Sequence, residues 1–398
     1  MIEIGSLGLS FGSGNKGCEA LAYSFLEAVE TIAEKRNERV QINFIKPLPF
    51  KQIIKKHSVK AVKKNYFPKN DYPHIQFNTC FFLNKNGKVI FLNNARKCKC
   101  VFDFTDGDSF TDIYGQERFF ARTRVKKAVI DKNVPLILGS QTIGPFHDAK
   151  VRQLAVEVIK KSAEVYVRDK QSFEYTLKIS GREPKLTSDI AFLLPFDKKE
   201  NTPKDKPKLG INPSGLLWNG GYTKDNQFGL TVNYRDYLRN VIKELRDSFE
   251  IHLIPHAFRA DNVKTADNDL DAVKALHKEF PETVVSPIPE TPMEVKSYIA
   301  SMDVFTGARM HATIGSFSAG VPVIPFSYSR KFEGLFESLS YPYVIHGKEY
   351  LTEEAVKKTV EFVTDREKLK NEMADGTLII KKSNDCIISE VEKLIFDL

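Results

Sequence analysis

The stretch Asp303-Val-Phe-Thr306-Gly-Ala-Arg309-Met-His311-Ala-Thr-Ile-Gly-Ser-Phe-Ser-Ala-Gly320-Val-Pro-Val-Ile-Pro325 decides the fold. Residues 303–306 read as a short strand, 312–319 as a helix and 321–325 as a second strand. Strand, helix and strand in so few residues form a parallel βαβ unit, because parallel partners need a crossover between them. The same alternation extends outward. Strands are predicted at 209–212, 251–254 and 284–287, with helices at 233–248, 268–279 and 292–301. Ahead of them, 196–208 (Phe-Asp-Lys-Lys-Glu-Asn-Thr-Pro-Lys-Asp-Lys-Pro-Lys) carries two prolines and dense charge and reads as a linker. Upstream the pattern repeats. Strands are predicted at 2–11, 40–45, 99–104, 135–138 and 164–168, helices at 19–35, 116–131, 149–162 and 172–180, and a hairpin at Asn86-Gly87. The expected architecture is α/β: two Rossmann-like lobes, 1–195 and 209–380, with a central cleft. Ligands are expected at the carboxyl ends of the strands that face it.

Composition narrows the function. The chain has 398 residues, 42% hydrophobic and 28% charged, ordinary for a globular protein and too long for one domain. No apolar run reaches the roughly 18–20 residues that span a bilayer. The start, Met1-Ile-Glu-Ile, has no basic leader, so a cytoplasmic protein is expected. Five scattered cysteines make no disulfide framework, and Cys98-Lys-Cys100 lacks the spacing of a zinc site. The net charge is +8, and eight lysines between Lys46 and Lys69, with no acid among them, account for all of it. Such a run is either a solvated face or a contact for an anionic partner, such as lipid headgroups or a lipid phosphate. No second basic patch or RNA-binding signature supports nucleic acid.

Polar groups gather where strands end. Gly12-Ser-Gly14-Asn-Lys-Gly17 is a literal G-x-G-x-x-G between a strand and a helix. A dinucleotide site would add an acid at the end of the next strand, and Ile45-Lys46-Pro47 has none. The loop therefore reads as a seat for an anion or a sugar hydroxyl, with Asn15 or Glu19, or as a structural turn. Asp106-Gly-Asp108 reads as turn chemistry, as acceptors for substrate hydroxyls, or as a D-x-D motif that holds a divalent metal with a sugar nucleotide. Ser140-Gln141-Thr is a second polar loop after a buried strand. At Arg309-Met310-His311 a guanidinium, an imidazole and the N–H groups of a helix start converge, a seat for a phosphate or carboxylate. His311 can also move a proton near neutral pH. Arg168, His256 and Lys331 are further cations at strand exits; Arg168 has an ion pair with Asp169 or Asp189 as its alternative.

In these residues the chain resembles the polysaccharide pyruvyl transferase family. The resemblance runs through Gly12–Ala20, Ser140-Gln-Thr-Ile-Gly-Pro145, Arg168-Asp169-x-x-Ser172, Ser188-Asp189-x-Ala191-Phe192, Arg309-x-His311-Ala312, Gly320-Val-Pro-Val and Tyr328-x-x-Lys331. Cys18 departs from it, standing where the family often has Asp. The resemblance implies a GT-B-like fold, with a helix at 381–398 crossing back onto the first lobe. It implies phosphoenolpyruvate as co-substrate, no cofactor and no metal. The acceptor would be a glycan or lipid-linked oligosaccharide, and the product a pyruvate ketal. On this reading His311 is the acid/base. Arg168, Arg309, Met310, His311, His256 and Lys331 hold the donor, and Asn15, Asp106, Ser109 and Gln141 face the acceptor. The lysine run would hold the protein against the inner face of an anionic membrane.

The rival is an inverting GT-B glycosyltransferase using a sugar nucleotide, since Thr306-Gly307, His311 and Gly320-x-Pro322 also resemble heptosyltransferases. The paired glutamates of retaining enzymes would fall at Gly307 and Gly315 and are absent.

Overall fold

The computed structural model describes residues 1–47, 68, 71–85, 88–91, 97–198, 206–258 and 266–397. They form two compact units. The first comprises Met1–Gly12, Leu21–Leu193 and Lys382–Leu398, and the second Ser13–Ala20 and Leu194–Lys381. Of the basic run between Lys46 and Lys69, Lys46 is the only lysine among the described residues. No described helix is long and apolar enough to cross a membrane.

The first sheet contains β1 (Ile2–Leu7), β2 (Val40–Pro47), β3 (Ile75–Lys85), β4 (Lys88–Phe91), β5 (Val101–Asp103), β6 (Leu136–Gln141), β7 (Glu164–Val167) and β8 (Lys185–Leu186). Their order is β4-β3-β2-β1-β5-β6-β7-β8. Only the β3–β4 pair, flanking Asn86-Gly87, is antiparallel; the other pairs are parallel. The strands β5, β6 and β7 bury nearly every side chain, as expected of the centre of a sheet covered on both faces. The covering helices are α1 (Lys16–Arg36), α2 (Gln116–Ile130), α3 (Ala149–Lys161) and α4 (Lys170–Ser180). Helix α3 shows why they form. Asp148 caps it by accepting from Lys150 N and Val151 N, and Val151, Ala155, Val158 and Ile159 make its buried stripe. Helix α4 starts on the Asp169 cap and stops at Gly181, in the left-handed region at φ 69°.

The second sheet contains β9 (Lys208–Asn212), β10 (Glu250–Leu253), β11 (Val284–Val285), β12 (Val304–Gly307), β13 (Val323–Ser327) and β14 (Ile345–His346), in the order β11-β10-β9-β12-β13-β14. All its pairs are parallel. Its helices are α5 (Gly215–Trp218), α6 (Tyr234–Leu245), α7 (Asp269–Glu279), α8 (Pro292–Ile299), α9 (Met310–Ser318), α10 (Arg330–Ser338), α11 (Thr352–Thr364) and α12 (Arg366–Phe396). The final part of α12 packs on the first sheet. Ser383 Oγ accepts from Ser188 N, and Glu390 accepts from the Tyr166 hydroxyl at 2.7 Å.

Each sheet has one place where strand order reverses, between β1 and β5 in the first and between β9 and β12 in the second. Crevices outside the carboxyl ends of such strand pairs are where open α/β sheets bind ligands.

Candidate functional site

At the second sheet's reversal, β9 ends on Asn212 and β12 on Gly307. A methyl at Gly307 would lie 2.8 Å from Asn212 Cβ, so only glycine lets these two exits close together. Asn212 Oδ1 accepts from Arg309 N at 3.1 Å, and its Nδ2 donates to Ile254 O and Asp269. Asp269 is fully buried and ties the exits to one another. It accepts from Gly215 N, His256 N and Ala257 N, and from Arg309 Nη2 at 2.6 Å. Arg309 Nη2 also lies 2.5 Å from Asp267, whose side chain is 25% exposed. Burial opposes the Arg309 charge, but the carboxylates of Asp269 and Asp267 outweigh it and hold the guanidinium protonated.

Arg309 precedes α9, which no side chain caps. Ala312 N and Thr313 N turn back to Arg309 O. Met310 and His311 thus occupy the first turn, where the helix end favours negative charge.

The glycine loop packs here. Phe258 N donates to Gly14 O and Lys16 N to His256 O, while Asn15 bridges Ala257. Asn15 Oδ1 accepts from Gly17 N and Cys18 N and so caps α1. The buried Lys16 ammonium pairs with Glu19 at 2.9 Å and donates to Glu290 O. At Gly17 the absent side chain makes room for His311, whose Nδ1 would be 2.5 Å from a Cβ there. His256 is buried nearby. Burial, aided by the charge of His311, pushes its imidazole down to about 3, so it is neutral at physiological pH. A cavity of about 440 Å³ lined by Trp218, Asn219, Tyr234 and Arg235 lies in the same unit.

At the first sheet's reversal, the turn after β5 runs through Thr105 (φ 43°), Asp106 (φ 52°) and Gly107 (φ 86°), three successive left-handed residues. Such a conformation is unusual for a β-branched threonine. Beneath it Lys126 and Asp103, both buried, pair at 3.0 Å, and Lys126 also donates to Thr105 Oγ1. Asp106 accepts from Ser10 Oγ at 3.1 Å and pairs with Arg122 at 2.5 Å. Ser109 accepts from Arg118 Nη2 at 3.0 Å.

Several sequence expectations change in detail. Asn15, expected on the acceptor side in the first lobe, groups with His256 and His311 in the second unit, because the backbone bonds of its loop go to residues 256–258. Gln141 is fully buried and donates to Asp103, so it supports the sheet and presents no surface to a sugar. Arg168 is buried in a 2.5 Å ion pair with Asp189 and donates through Nε to Thr142. This is its alternative reading, and it commits the guanidinium that was expected to clamp a donor. Met310, His311, His256 and Arg309 do come together, though Arg309 is already held by carboxylates. Lys331 opens α10, and its side chain lies outside the described residues. Among the described residues no group of three or more His, Cys, Asp or Glu side chains is arranged to hold a metal. Asp269, Asp267 and Lys16 were not read from the sequence. Asn268-Asp269 looks like ordinary helix-start chemistry, and Asn268 does cap α7.

Among solved structures, the chain is similar to a Listeria monocytogenes protein provisionally named a UDP-N-acetylglucosamine 2-epimerase (11% identity, 100% of this chain and 97% of that one, TM-score 0.58). It is also similar to Anabaena Alr3699/HepE, solved with UDP and glucose (12% identity, 100% of both chains, TM-score 0.54). A third likeness is to S. aureus MnaA, solved with UDP (11% identity, 99% and 96%, TM-score 0.55). At these identities the likeness shows the fold, the GT-B arrangement of two parallel sheets. No curated protein sequence matches significantly. The sequence model described as Polysaccharide pyruvyl transferase matches residues 15–330, most of the chain and all of the second-sheet reversal. The chain belongs to the polysaccharide pyruvyl transferase family, a family of transferase enzymes.

Proposed function

We propose that the protein transfers the pyruvyl group of phosphoenolpyruvate to two hydroxyls of a glycan, forming a pyruvate ketal and releasing inorganic phosphate. The observation that carries the reading is the gathering of Arg309, the α9 start and His311 at the second-sheet reversal of a chain in this family. The donor carries a phosphate and a carboxylate. One of these anions takes the place of the partly exposed Asp267 on Arg309, while buried Asp269 keeps the guanidinium oriented. The helix start receives the other charge.

His311 gives a proton to the donor methylene carbon, which becomes the methyl group. The adjacent carbon becomes oxocarbenium-like, and one sugar hydroxyl attacks it and loses its proton. The carbon–oxygen bond to phosphate then breaks, and the second hydroxyl closes the ketal. Of the two protons shed by the hydroxyls, one replaces that given by His311 and the other leaves with phosphate. His256 is a poor candidate for the acid, since its burial keeps it neutral. Asp106 and Ser109 at the first-sheet reversal are the acceptor-side residues. Asp106 accepts hydrogen bonds and Ser109 carries a hydroxyl.

Phosphate release from phosphoenolpyruvate, measured with and without a glycan diol, tests the reading. Thermal shift with phosphoenolpyruvate against a panel of sugar nucleotides separates it from the glycosyltransferase alternative, which the shared fold leaves open.

A further inference from the structure

We propose that Lys46, Arg118 and Arg122, at the carboxyl edge of the first sheet, form a second anion site suited to a phosphoester dianion on the acceptor. The link to the acceptor rests on the pyruvyl-transfer reading above; the anion site itself does not. Lys46 sits at the end of β2 and Asp106 follows β5, while Arg118 and Arg122 lie one turn apart on the same face near the start of α2. Arg122 Nη2 is 2.5 Å and Arg118 Nη2 3.9 Å from the same Asp106 oxygen. Lys46 lies close enough for the charges of Asp106 and Arg122 to act on it, and its ammonium donates to the Leu9 carbonyl. Among the described residues Asp106 is the carboxylate paired with these arginines, and Asp108, two residues on, accepts from Tyr114, over whose ring Arg118 lies. Asp103 and Lys126 beneath cancel each other.

Two arginines and a lysine gathered around one carboxylate at a sheet's reversal point suit a phosphoester dianion. The side chains of Arg118 and Arg122 are 46% and 32% exposed, so their forks can turn to an ester from solvent. Burial pushes Lys46 down to about 8, and a bound anion would hold its charge more firmly. The strained Thr105-Asp106-Gly107 turn beside the cluster is the kind of backbone that persists where surroundings over-determine it, often at ligand sites.

The test is calorimetric titration of glycerol 3-phosphate into the full chain and its Arg118→Gln, Lys46→Met and Arg309→Gln variants, with melting temperatures as a folding control. The proposal expects binding to survive Arg309→Gln and to weaken about tenfold or more in Arg118→Gln at unchanged melting temperature, with Lys46→Met weakening it similarly. Equal binding by the wild type and Arg118→Gln overturns the proposal. Phosphatidylglycerol vesicles give the second arm. If Arg118→Gln lowers vesicle binding alone and leaves the soluble ester unchanged, the cluster reads membrane charge and the proposal also fails. Glycerol 3-phosphate binding in a protein that releases no phosphate from phosphoenolpyruvate would sustain the site and sink the pyruvyl-transfer reading. Turnover without such binding would do the reverse.

Discussion

Gly17 and the His311 imidazole occupy adjoining space so closely that a methyl on the glycine would fall 2.5 Å from Nδ1 and 3.0 Å from Cγ. The glycine loop, whose pattern suggests a phosphate cradle, thus also fixes the place of the proposed acid. Gly17→Ala should displace the ring by a few tenths of an ångström or more. Turnover is expected to fall roughly 10- to 100-fold, a usual result of misplacing a reacting group. Steady-state kinetics alongside thermal melts check this. A variant that loses stability but keeps its kcat would show that the contact is packing only.

Asp267 and the donor anion compete for one guanidinium on the proposed mechanism. Asp267→Asn should therefore tighten phosphoenolpyruvate binding about fivefold to tenfold, roughly 1 kcal/mol. Asp269→Asn should weaken it, because the buried partner that orients Arg309 is lost. Calorimetric titration of both variants reads the two signs. If Asp267→Asn binds no better or more weakly, Asp267 supports the site and does not compete for it.

Arg168 and Asp189 form a buried pair, with side chains 1% and 0% exposed. The opposing charges of Asp189, Asp108 and Asp169 keep the guanidinium charged against its burial. Arg168→Met leaves Asp189 buried and uncompensated, so a loss of about 3–5 kcal/mol in urea unfolding is expected. Unchanged stability with abolished donor affinity would return Arg168 to the role read from its position in the sequence.

The neutral His256 gives a pH signature. Its folded value, near 3, lies below the unfolded value near 6.5. Between those values the unfolded chain binds the proton and the folded one does not. Stability from this group is therefore full above pH 6.5 and declines as pH falls toward 3, by about 1.4 kcal/mol per unit. Comparing unfolding free energies of wild type and His256→Asn from pH 7 to 4 isolates the effect, and the variant should show the shallower decline. Parallel curves would mean that His256 is not desolvated.

Period and punctuation carried the fold. The βαβ alternation, the Gly181 stop and the antiparallel β3–β4 pair all depend on local chemistry that a sequence displays, while Asn86-Gly87 itself lies outside the described residues. The site was legible in part. Arg309, Met310 and His311 are adjacent in the chain, so their joint placement follows from one strand-to-helix turn. Residues that act across the fold were harder. Lys126 is indistinguishable in sequence from a solvated helix lysine, yet it is buried against Asp103. Lys296 is similar: it is buried, donates to Leu194 O, and burial pushes it down to about 7. The glycine loop was assigned by its place in the chain to the first lobe, whereas its backbone partners lie at 256–258, more than two hundred residues away. No local pattern encodes such a pairing.

On the proposed mechanism the group donor is a three-carbon enol phosphate and not a sugar nucleotide. Phosphorus NMR of the purified protein with phosphoenolpyruvate, a panel of sugar nucleotides and a glycan acceptor tests this in one tube. The expected result is inorganic phosphate growing at the expense of phosphoenolpyruvate, and its loss in His311→Gln. Nucleoside diphosphate appearing while phosphoenolpyruvate stays intact would contradict the account.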